Sequence, residues 1–186
     1  NRIARVDTNY TQLLKEDNAD FVYIALVNSA HYDYVRQALE ADRNVIVEKP
    51  FTTSLSQAEE LASLARSRNL YLFEAVSLLH TPNFKLVKDS LTRIAPIHLV
   101  QCNFSQYSSR FERYLQGDIA PAFNPKFGGG AMNDLNVYNI NIVIGLFGEP
   151  LTTAYYANRG HNGIDTSGTM ILSYPTLTAT CTAAKD

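Results

Sequence analysis

The amino-acid sequence predicts an α/β domain built on a parallel sheet, followed by an α+β domain whose sheet is mainly antiparallel. In the first half, short runs rich in β-branched residues alternate with helical runs, and such alternation is typical of parallel strands joined by right-handed crossovers. Beyond residue 76, strand-like runs follow one another with few helices between them. We therefore place the boundary between the two domains, 1–76 and 77–186, at this change.

The first two strands are indicated by their composition and by what ends them. Residues 21–27 form a continuous apolar run of strand length, so we expect a strand buried on both faces. Apolar side chains at helical spacing follow over residues 31–41. A second short strand over residues 44–48 is stopped by Pro50, because proline cannot donate to a strand ladder.

The next helix carries a recognisable start signal. Ser54 and Gln57 match the capping box, in which the first side chain accepts a hydrogen bond from the backbone N–H three residues later. The apolar stripe that follows predicts a helix to about Arg68, and residues 70–73 then predict a third strand.

The second half is dominated by strand-like runs, with one long helix among them. A further helix over residues 83–92 precedes these strands, and the stretch 106–127, which contains glycine and proline, reads as a long excursion of the kind that is often functional. The predicted strands cover residues 97–104, 151–157, 169–174 and 177–182, and the long helix covers residues 131–147.

Composition excludes several classes of protein. The 186 residues are 46% hydrophobic with a formal net charge of −2, which excludes a disordered chain and argues against nucleic-acid or anionic-membrane partners. Charged residues make up 18%, below the usual proportion of about a quarter, so we expect part of the surface to be covered by other chain or by a partner. Nothing resembles a membrane span or a targeting segment, which favours a soluble, cytoplasmic protein.

Cysteine and histidine spacing gives no metal site. Cys102 and Cys181 lie in neither a CxxC pattern nor a Cys/His cluster, and we interpret them as two reduced core residues. The histidines His80, His98 and His161 show no ligand spacing.

Polar, titratable residues follow each of the three strands of the first half. Asn28 and His31 follow the first strand, Glu48 and Lys49 end the second, and Glu74 ends the third. The carboxyl ends of parallel strands meet at one edge, where ligands bind in open α/β sheets. Each group alone is explained by ordinary capping or a solvated turn, whereas the three together favour a site for proton transfer and hydroxyl binding.

The long helix carries a second set of polar residues. Asp134, Tyr138 and Asn141 are spaced to share one face of an otherwise apolar helix. Two interpretations stay open: a satisfied structural network, or an acid-base tyrosine beside a carboxylate that orients a substrate hydroxyl. The preceding triplet 128–130 is all glycine; we interpret it as a tight entry that lets the backbone approach the other half closely, since no strand precedes it as the dinucleotide fingerprint requires.

Taken together, these motifs resemble the Gfo/Idh/MocA oxidoreductases in order and spacing over nearly the whole chain. The Glu48-Lys49-Pro50 tripeptide alone is weak, but it is specific in combination with the glycine-rich start of an Asp-x-x-x-His/Tyr helix. The segments that carry the resemblance are 27–31, 45–50, 74–75 with Pro82, and 128–138.

The resemblance implies roles for the residues of both sets. It places Asn28 and His31 beside the nicotinamide and its ribose with Glu48 close by, and it makes Lys49 the group that holds the reacting hydroxyl and assists its deprotonation. Asp134 would bind the substrate, and position 138 would carry the acid-base group, here Tyr138 where many members have histidine. The implied cofactor-binding residues are Asn28, His31, Glu48 and Lys49; the implied catalytic and substrate-binding residues are Lys49, Asp134 and Tyr138, with Asn141 added for the substrate.

By the same resemblance, residues 1–76 are part of a Rossmann-like, dinucleotide-binding domain, and residues 77–186 are part of a substrate-binding and dimerisation domain. The implied activity is hydride transfer between NAD or NADP and a hydroxyl carbon of a sugar, polyol or related compound. We expect self-association through the sheet of the second domain.

The family's Gly-x-Gly-x-x-Gly turn should precede the helix at residues 9–16, so we expect the sequence to be a fragment, incomplete at both ends, that binds dinucleotide weakly or not at all. The alternative is a non-catalytic carbohydrate-binding or assembly module.

Overall fold

The computed structural model describes residues 3, 5–16 and 19–186, and these form two compact units divided between Ala75 and Val76. The first unit is a three-stranded parallel sheet in the order β1-β2-β3 with helices in its crossovers, which confirms the predicted α/β arrangement. Its strands are β1 (Phe21–Ile24), β2 (Asn44–Val47) and β3 (Leu72–Glu74), and its helices are α1 (Tyr10–Glu16), α2 (His31–Glu40) and α3 (Leu55–Ser67).

The core of the first unit lies between the helices and one face of the sheet. Ile24 and Val47 face each other across the β1–β2 ladder and are both buried. The predicted cap of α3 is present, since Ser54 Oγ accepts a hydrogen bond from Gln57 N at 3.4 Å. The buried residues of this core are Leu14, Ile24, Val35, Ala38, Leu39, Val45, Val47, Leu61 and Ala65.

The expectation that the first strand is buried on both faces is wrong. The strand ends at Ile24, and Phe21 and Tyr23 are 41% and 57% exposed, alternating with the covered Val22 and Ile24. The physical reason is that the described helices pack over one face of the sheet, so side chains that point to the other face reach solvent. An apolar run shows that a strand forms there but does not tell how many of its faces are covered.

The second unit contains a four-stranded sheet in the order β4-β7-β6-β5, in which only the β4–β7 pair is parallel among the described strands. The prediction of a mainly antiparallel sheet is therefore confirmed. The strands are β4 (Leu99–Ser105), β5 (Thr152–Arg159), β6 (Asp165–Ser173) and β7 (Thr178–Ala184), and the helices are α4 (Pro82–Ile94), α5 (Phe111–Leu115) and α6 (Val137–Phe147).

Helix α6 packs against one face of this sheet. Val143 from the helix meets Leu172, Ala179 and Cys181 in a buried cluster. The two cysteines, distant in sequence, are direct partners in the β4–β7 ladder, and both are free thiols as predicted.

The excursion over residues 106–127 is ordered by its own small aromatic core. Tyr114 and Phe123 stack with ring centroids 4.9 Å apart and are both fully buried. Ile164, from the loop before β6, completes this cluster, so the excursion is packed onto the sheet's end.

Candidate functional site

His31 joins the loops that follow the first two strands. Its ring is fully buried, with Nδ1 2.9 Å from the carbonyl oxygen of Pro50 and Nε2 3.2 Å from that of Leu26. Carbonyl oxygens only accept, so the ring N–H is the donor in these contacts. The ring therefore holds the backbone of both loops, and an influence of His31 on a ligand runs through those loops.

Glu74 holds the same loop from the other side. Its Oε1 accepts a hydrogen bond from the backbone N–H of Phe51 at 2.8 Å. Burial raises the pKa of the Glu74 carboxyl, and the Phe51 hydrogen bond and the nearby His31 oppose that shift only in part. The segment from Glu48 to Phe51 is thus fixed from the ends of both neighbouring strands.

Lys49 lies in this fixed segment, directly after β2. It is half-buried and precedes the buried Pro50. Glu48 accepts a hydrogen bond from the hydroxyl of Tyr23, a residue of the exposed face of β1, and this bond raises the pKa of the Tyr23 phenol. Asn28 begins a short 3-10 turn, Asn28–Ala30, that leads into α2. Carboxylate, ammonium and amide groups therefore gather at the carboxyl edge of the sheet.

In the second unit, the glycine triplet admits close neighbours. Gly130 has a φ of +109°, and a Cβ built there would lie 1.9 Å from Asp165 Oδ1. A Cβ at Gly129 would lie 2.7 Å from the carbonyl oxygen of Pro121. The tight entry is therefore present, and the atoms nearest to a Cβ at these two positions belong to the second unit itself.

Asp165 uses this space to cap the helix entry. Its Oδ2 accepts hydrogen bonds from the backbone N–H of Met132 and from the hydroxyl of Tyr155, each at 2.7 Å. The helix then begins with a π turn, Met132–Asn136, before α6, where the sequence predicts a regular α-helix throughout. Widened turns of this kind are frequent at functional sites because they re-aim the side chains they carry.

The polar residues of this helix divide into two groups. Asn136 is fully buried and donates to the carbonyl oxygen of Cys181 at 2.8 Å, and Asn139 donates to Asn136 Oδ1 and to the Thr182 carbonyl, each at 2.9 Å. These two side chains form a satisfied structural network that ties the helix to β7. Asn141, predicted to face a substrate, donates to the carbonyl oxygen of Val137 in its own helix at 2.9 Å.

Asp134 and Tyr138, the other two residues predicted on this helix, are half-buried and have different surroundings. The Tyr138 ring lies 5.6 Å from that of Phe104 on β4. Asp134 Oδ2 pairs with the ammonium group of Lys185 at 2.8 Å. Lys185 was missed by the sequence analysis; the signal available was a lone lysine directly after an uncharged strand.

The described part of the chain contains neither a metal-binding cluster nor a helix that could span a membrane. Residues 3, 5–16 and 19–186 contain no group of three or more histidine, cysteine or acidic side chains that could hold a metal ion. Among the helices of those same residues, none is both long and apolar enough to cross a bilayer.

Comparison with known families accounts for both units. Residues 3–76 match the model described as "Oxidoreductase family, NAD-binding Rossmann fold", and residues 92–185 match the model of the GFO/IDH/MocA C-terminal domain. The chain belongs to the Gfo/Idh/MocA oxidoreductase family. The parallel sheet of the first unit is accordingly its NAD-binding Rossmann fold, and the resemblance inferred from the sequence is confirmed.

Several relatives within the Gfo/Idh/MocA family show how far the similarity extends. An uncharacterized oxidoreductase of Escherichia coli, YgjR, is 33% identical over 96% of this chain and 54% of its own length. The scyllo-inositol 2-dehydrogenase (NADP(+)) IolU of Bacillus subtilis is 32% identical over 92% of this chain and 52% of its own length. The chain thus spans about half the length of the curated relatives it matches.

Solved structures of the family agree with the fold. A 3-ketoreductase from Actinomadura kijaniata, determined in complex with NADP and TDP-benzene, superposes with a TM-score of 0.84 at 31% identity. The match covers 95% of this chain and 54% of the reductase.

Proposed function

We propose that the chain serves an NAD(P)-dependent oxidoreductase that transfers a hydride between nicotinamide and a hydroxyl-bearing carbon of a sugar, polyol or related compound. The observation that carries this proposal is the placement of Lys49 at the carboxyl edge of the Rossmann sheet, in a segment held by His31 and Glu74. Relatives named as a scyllo-inositol dehydrogenase and a D-xylose 1-dehydrogenase support the substrate class.

The residues at this edge have the chemistry that a nicotinamide nucleotide needs. The amide of Asn28, the carboxylate of Glu48 and the ammonium of Lys49 supply donors and acceptors for ribose hydroxyls and a carboxamide. His31 contributes by fixing the two loops that carry these groups. When bound, the nicotinamide supplies or accepts the hydride.

The chain's own residues would handle the substrate hydroxyl and its proton. Lys49 donates a hydrogen bond to the reacting hydroxyl and stabilises negative charge as its proton leaves. The phenolate form of Tyr138 takes that proton in the oxidative direction, and the phenol so formed returns it in the reductive direction, while Asp134 accepts a hydrogen bond from another substrate hydroxyl.

The proposal is tested by Lys49→Met in the full-length protein, with a panel of sugars, polyols and their oxidised forms and with both cofactors. We expect Lys49→Met to abolish turnover while the circular dichroism spectrum stays unchanged and NAD(P)H binding, although weaker, stays measurable because Asn28 and Glu48 still contact the nucleotide. Lys15→Met, which alters an exposed lysine of α1, is the matched control and should keep normal turnover. Normal turnover of Lys49→Met on an identified substrate would contradict the role of Lys49, and sugar binding without turnover by the wild type would favour a non-catalytic module.

We further propose that the protein self-associates through the open face of the second-unit sheet. Along β7, Thr178, Thr180 and Thr182 are less covered than Ala179, Cys181 and Ala183 between them, so the face away from α6 is rich in small hydroxyl side chains. Light scattering should give a dimer or larger species, and Thr180→Arg should reduce its mass because a long cation cannot be buried in such a face. A wild-type monomer at micromolar concentration would contradict this proposal.

A further inference from the structure

Lys185 is a buried cation in the second unit that the proposed function leaves without a role. It lies directly after β7 and is 3% exposed. Its Nζ donates to Asp134 Oδ2 at 2.8 Å and to the carbonyl oxygen of Ala122 at 2.9 Å, and it lies 4.4 Å from the centre of the Phe123 ring. The ammonium group therefore has an ionic, a hydrogen-bonded and a cation–π partner.

These partners connect three separate parts of the chain. Asp134 belongs to the π turn, Ala122 and Phe123 to the excursion over residues 106–127, and Lys185 to the end of the sheet. An ammonium group that has left water is strongly destabilising unless it is paired and hydrogen-bonded, so this arrangement is selective for one position of the Asp134 carboxylate. The lysine is covered while the carboxylate is more accessible, with side-chain exposures of 3% and 36%.

We infer that Lys185 is a positioning residue for substrate binding: it fixes the Asp134 carboxylate and balances its charge, so that the pair presents a nearly neutral hydrogen-bond acceptor. This inference rests on the proposed function, in which Asp134 binds a substrate hydroxyl. A fixed acceptor with a compensated charge suits an uncharged, polyhydroxylated ligand, because a cationic ligand would meet the buried ammonium and would gain little from the neutralised carboxylate.

The test compares Lys185→Met, Asp134→Asn and the double variant in the full-length protein, using pentoses, hexoses and inositols with NAD and NADP. We expect Lys185→Met to raise KM, or the dissociation constant measured by calorimetry, about tenfold to a hundredfold, with a smaller change in kcat. The double variant should bind no more weakly than Asp134→Asn, because a residue that acts through Asp134 has no effect once that carboxylate is gone. Lys185→Arg, which keeps the charge and donors, should restore part of the affinity.

Lys126→Met is the matched control, since it removes an exposed lysine from the same excursion. Urea unfolding of every variant separates folding from binding, and if Lys185→Met does not fold, Lys185→Gln, which keeps a donor for the Ala122 carbonyl, replaces it. A wild type that binds or turns over a panel compound, with KM and the dissociation constant unchanged in the Lys185 variant, would overturn this inference alone. The inference would also be overturned if Lys185→Met lowered the substrate affinity of Asp134→Asn as much as it lowers that of the wild type. If the wild type neither binds nor turns over any panel compound, the proposed function is overturned as well.

Discussion

Glu74 Oε1 accepts a hydrogen bond from the backbone N–H of Phe51 at 2.8 Å, which ties the end of β3 to the segment that carries Lys49. The neighbouring ring of His31 binds the carbonyl oxygen of Pro50 at 2.9 Å. One backbone donor and one backbone acceptor of adjacent residues are thus satisfied by side chains from two different elements. This pairing links the position of Lys49 to the stability of the first unit.

Glu74→Ala should therefore destabilise the first unit. The substitution leaves the Phe51 N–H without its acceptor, a loss of about 1–3 kcal/mol in the free energy of unfolding. Urea denaturation measures this change. Glu59→Ala, at an exposed position of α3, is the control and should stay within about 0.5 kcal/mol of the wild type. Equal stability of the two variants would show that the Glu74 hydrogen bond contributes nothing.

Glu74→Gln should gain stability relative to the wild type as the pH rises. Burial raises the pKa of Glu74 above its ordinary value of 4.5, so the folded protein favours the protonated form. Its stabilisation is present below pH 4.5 and is lost as pH rises through the higher folded value. Glutamine keeps an acceptor oxygen and does not ionise. The stability of Glu74→Gln relative to the wild type should therefore increase from pH 4 to pH 7, as measured by urea denaturation across that range, and a constant difference would contradict the burial argument.

Gly130→Ala should disrupt the entry to the long helix. A Cβ at this position meets Asp165 Oδ1 at 1.9 Å, and the φ of +109° is unfavourable for any residue with a side chain. Gly117→Ala is a matched control, because Gly117 has a φ of +87° and no atom within 4 Å of its Cβ position. We expect Gly130→Ala to lower the free energy of unfolding by about 1–3 kcal/mol more than the control does. Similar thermal shifts for both variants would mean that Asp165 moves aside freely.

Cys102 should react with alkylating agents at a lower pH than an ordinary cysteine. A hydrogen bond from the Cys181 thiol lowers the pKa of Cys102 and outweighs the opposite effect of burial. Cys181→Ala removes that donor and should move the midpoint of iodoacetamide modification, followed by mass spectrometry against pH, to a higher value. Thr180→Ala, a neighbouring change on β7, should leave the midpoint in place. An unchanged midpoint in Cys181→Ala would remove the thiol pair as the cause.

The elements of this fold could be predicted closely from local sequence. The strand expected at residues 44–48 is observed as Asn44–Val47, and the Ser54 cap is present, because apolar runs and caps act over a few residues. The exposure of Tyr23 could not be predicted, since it depends on which other segments cover that face. Local patterns fix an element, whereas its surroundings depend on the rest of the fold.

The candidate site was only partly accessible from sequence. The positions of Glu48, Lys49 and Glu74 at the ends of strands predict a shared site, because the carboxyl ends of parallel strands lie at one edge of the sheet. The pairing of Lys185 with Asp134 joins residues far apart in the chain, and neither neighbourhood has a periodicity that signals it. The π turn likewise has no residue signature that distinguishes it from an α-helix. Long-range residue pairs and local distortions of a helix can be identified only in the folded structure.

The parallel pairing of β4 with β7 also has a kinetic consequence. Strands β5, β6 and β7 follow one another and pair antiparallel, so their ladders close through short loops, whereas Leu99 must meet Thr178 across most of the second unit's length. Closing a long loop has a larger entropic cost and slows folding, so β4 is expected to dock after the three-stranded meander has formed. The docking of β4 brings Cys102 opposite Cys181, and the protection of the buried Cys181 thiol during refolding therefore marks completion of the sheet.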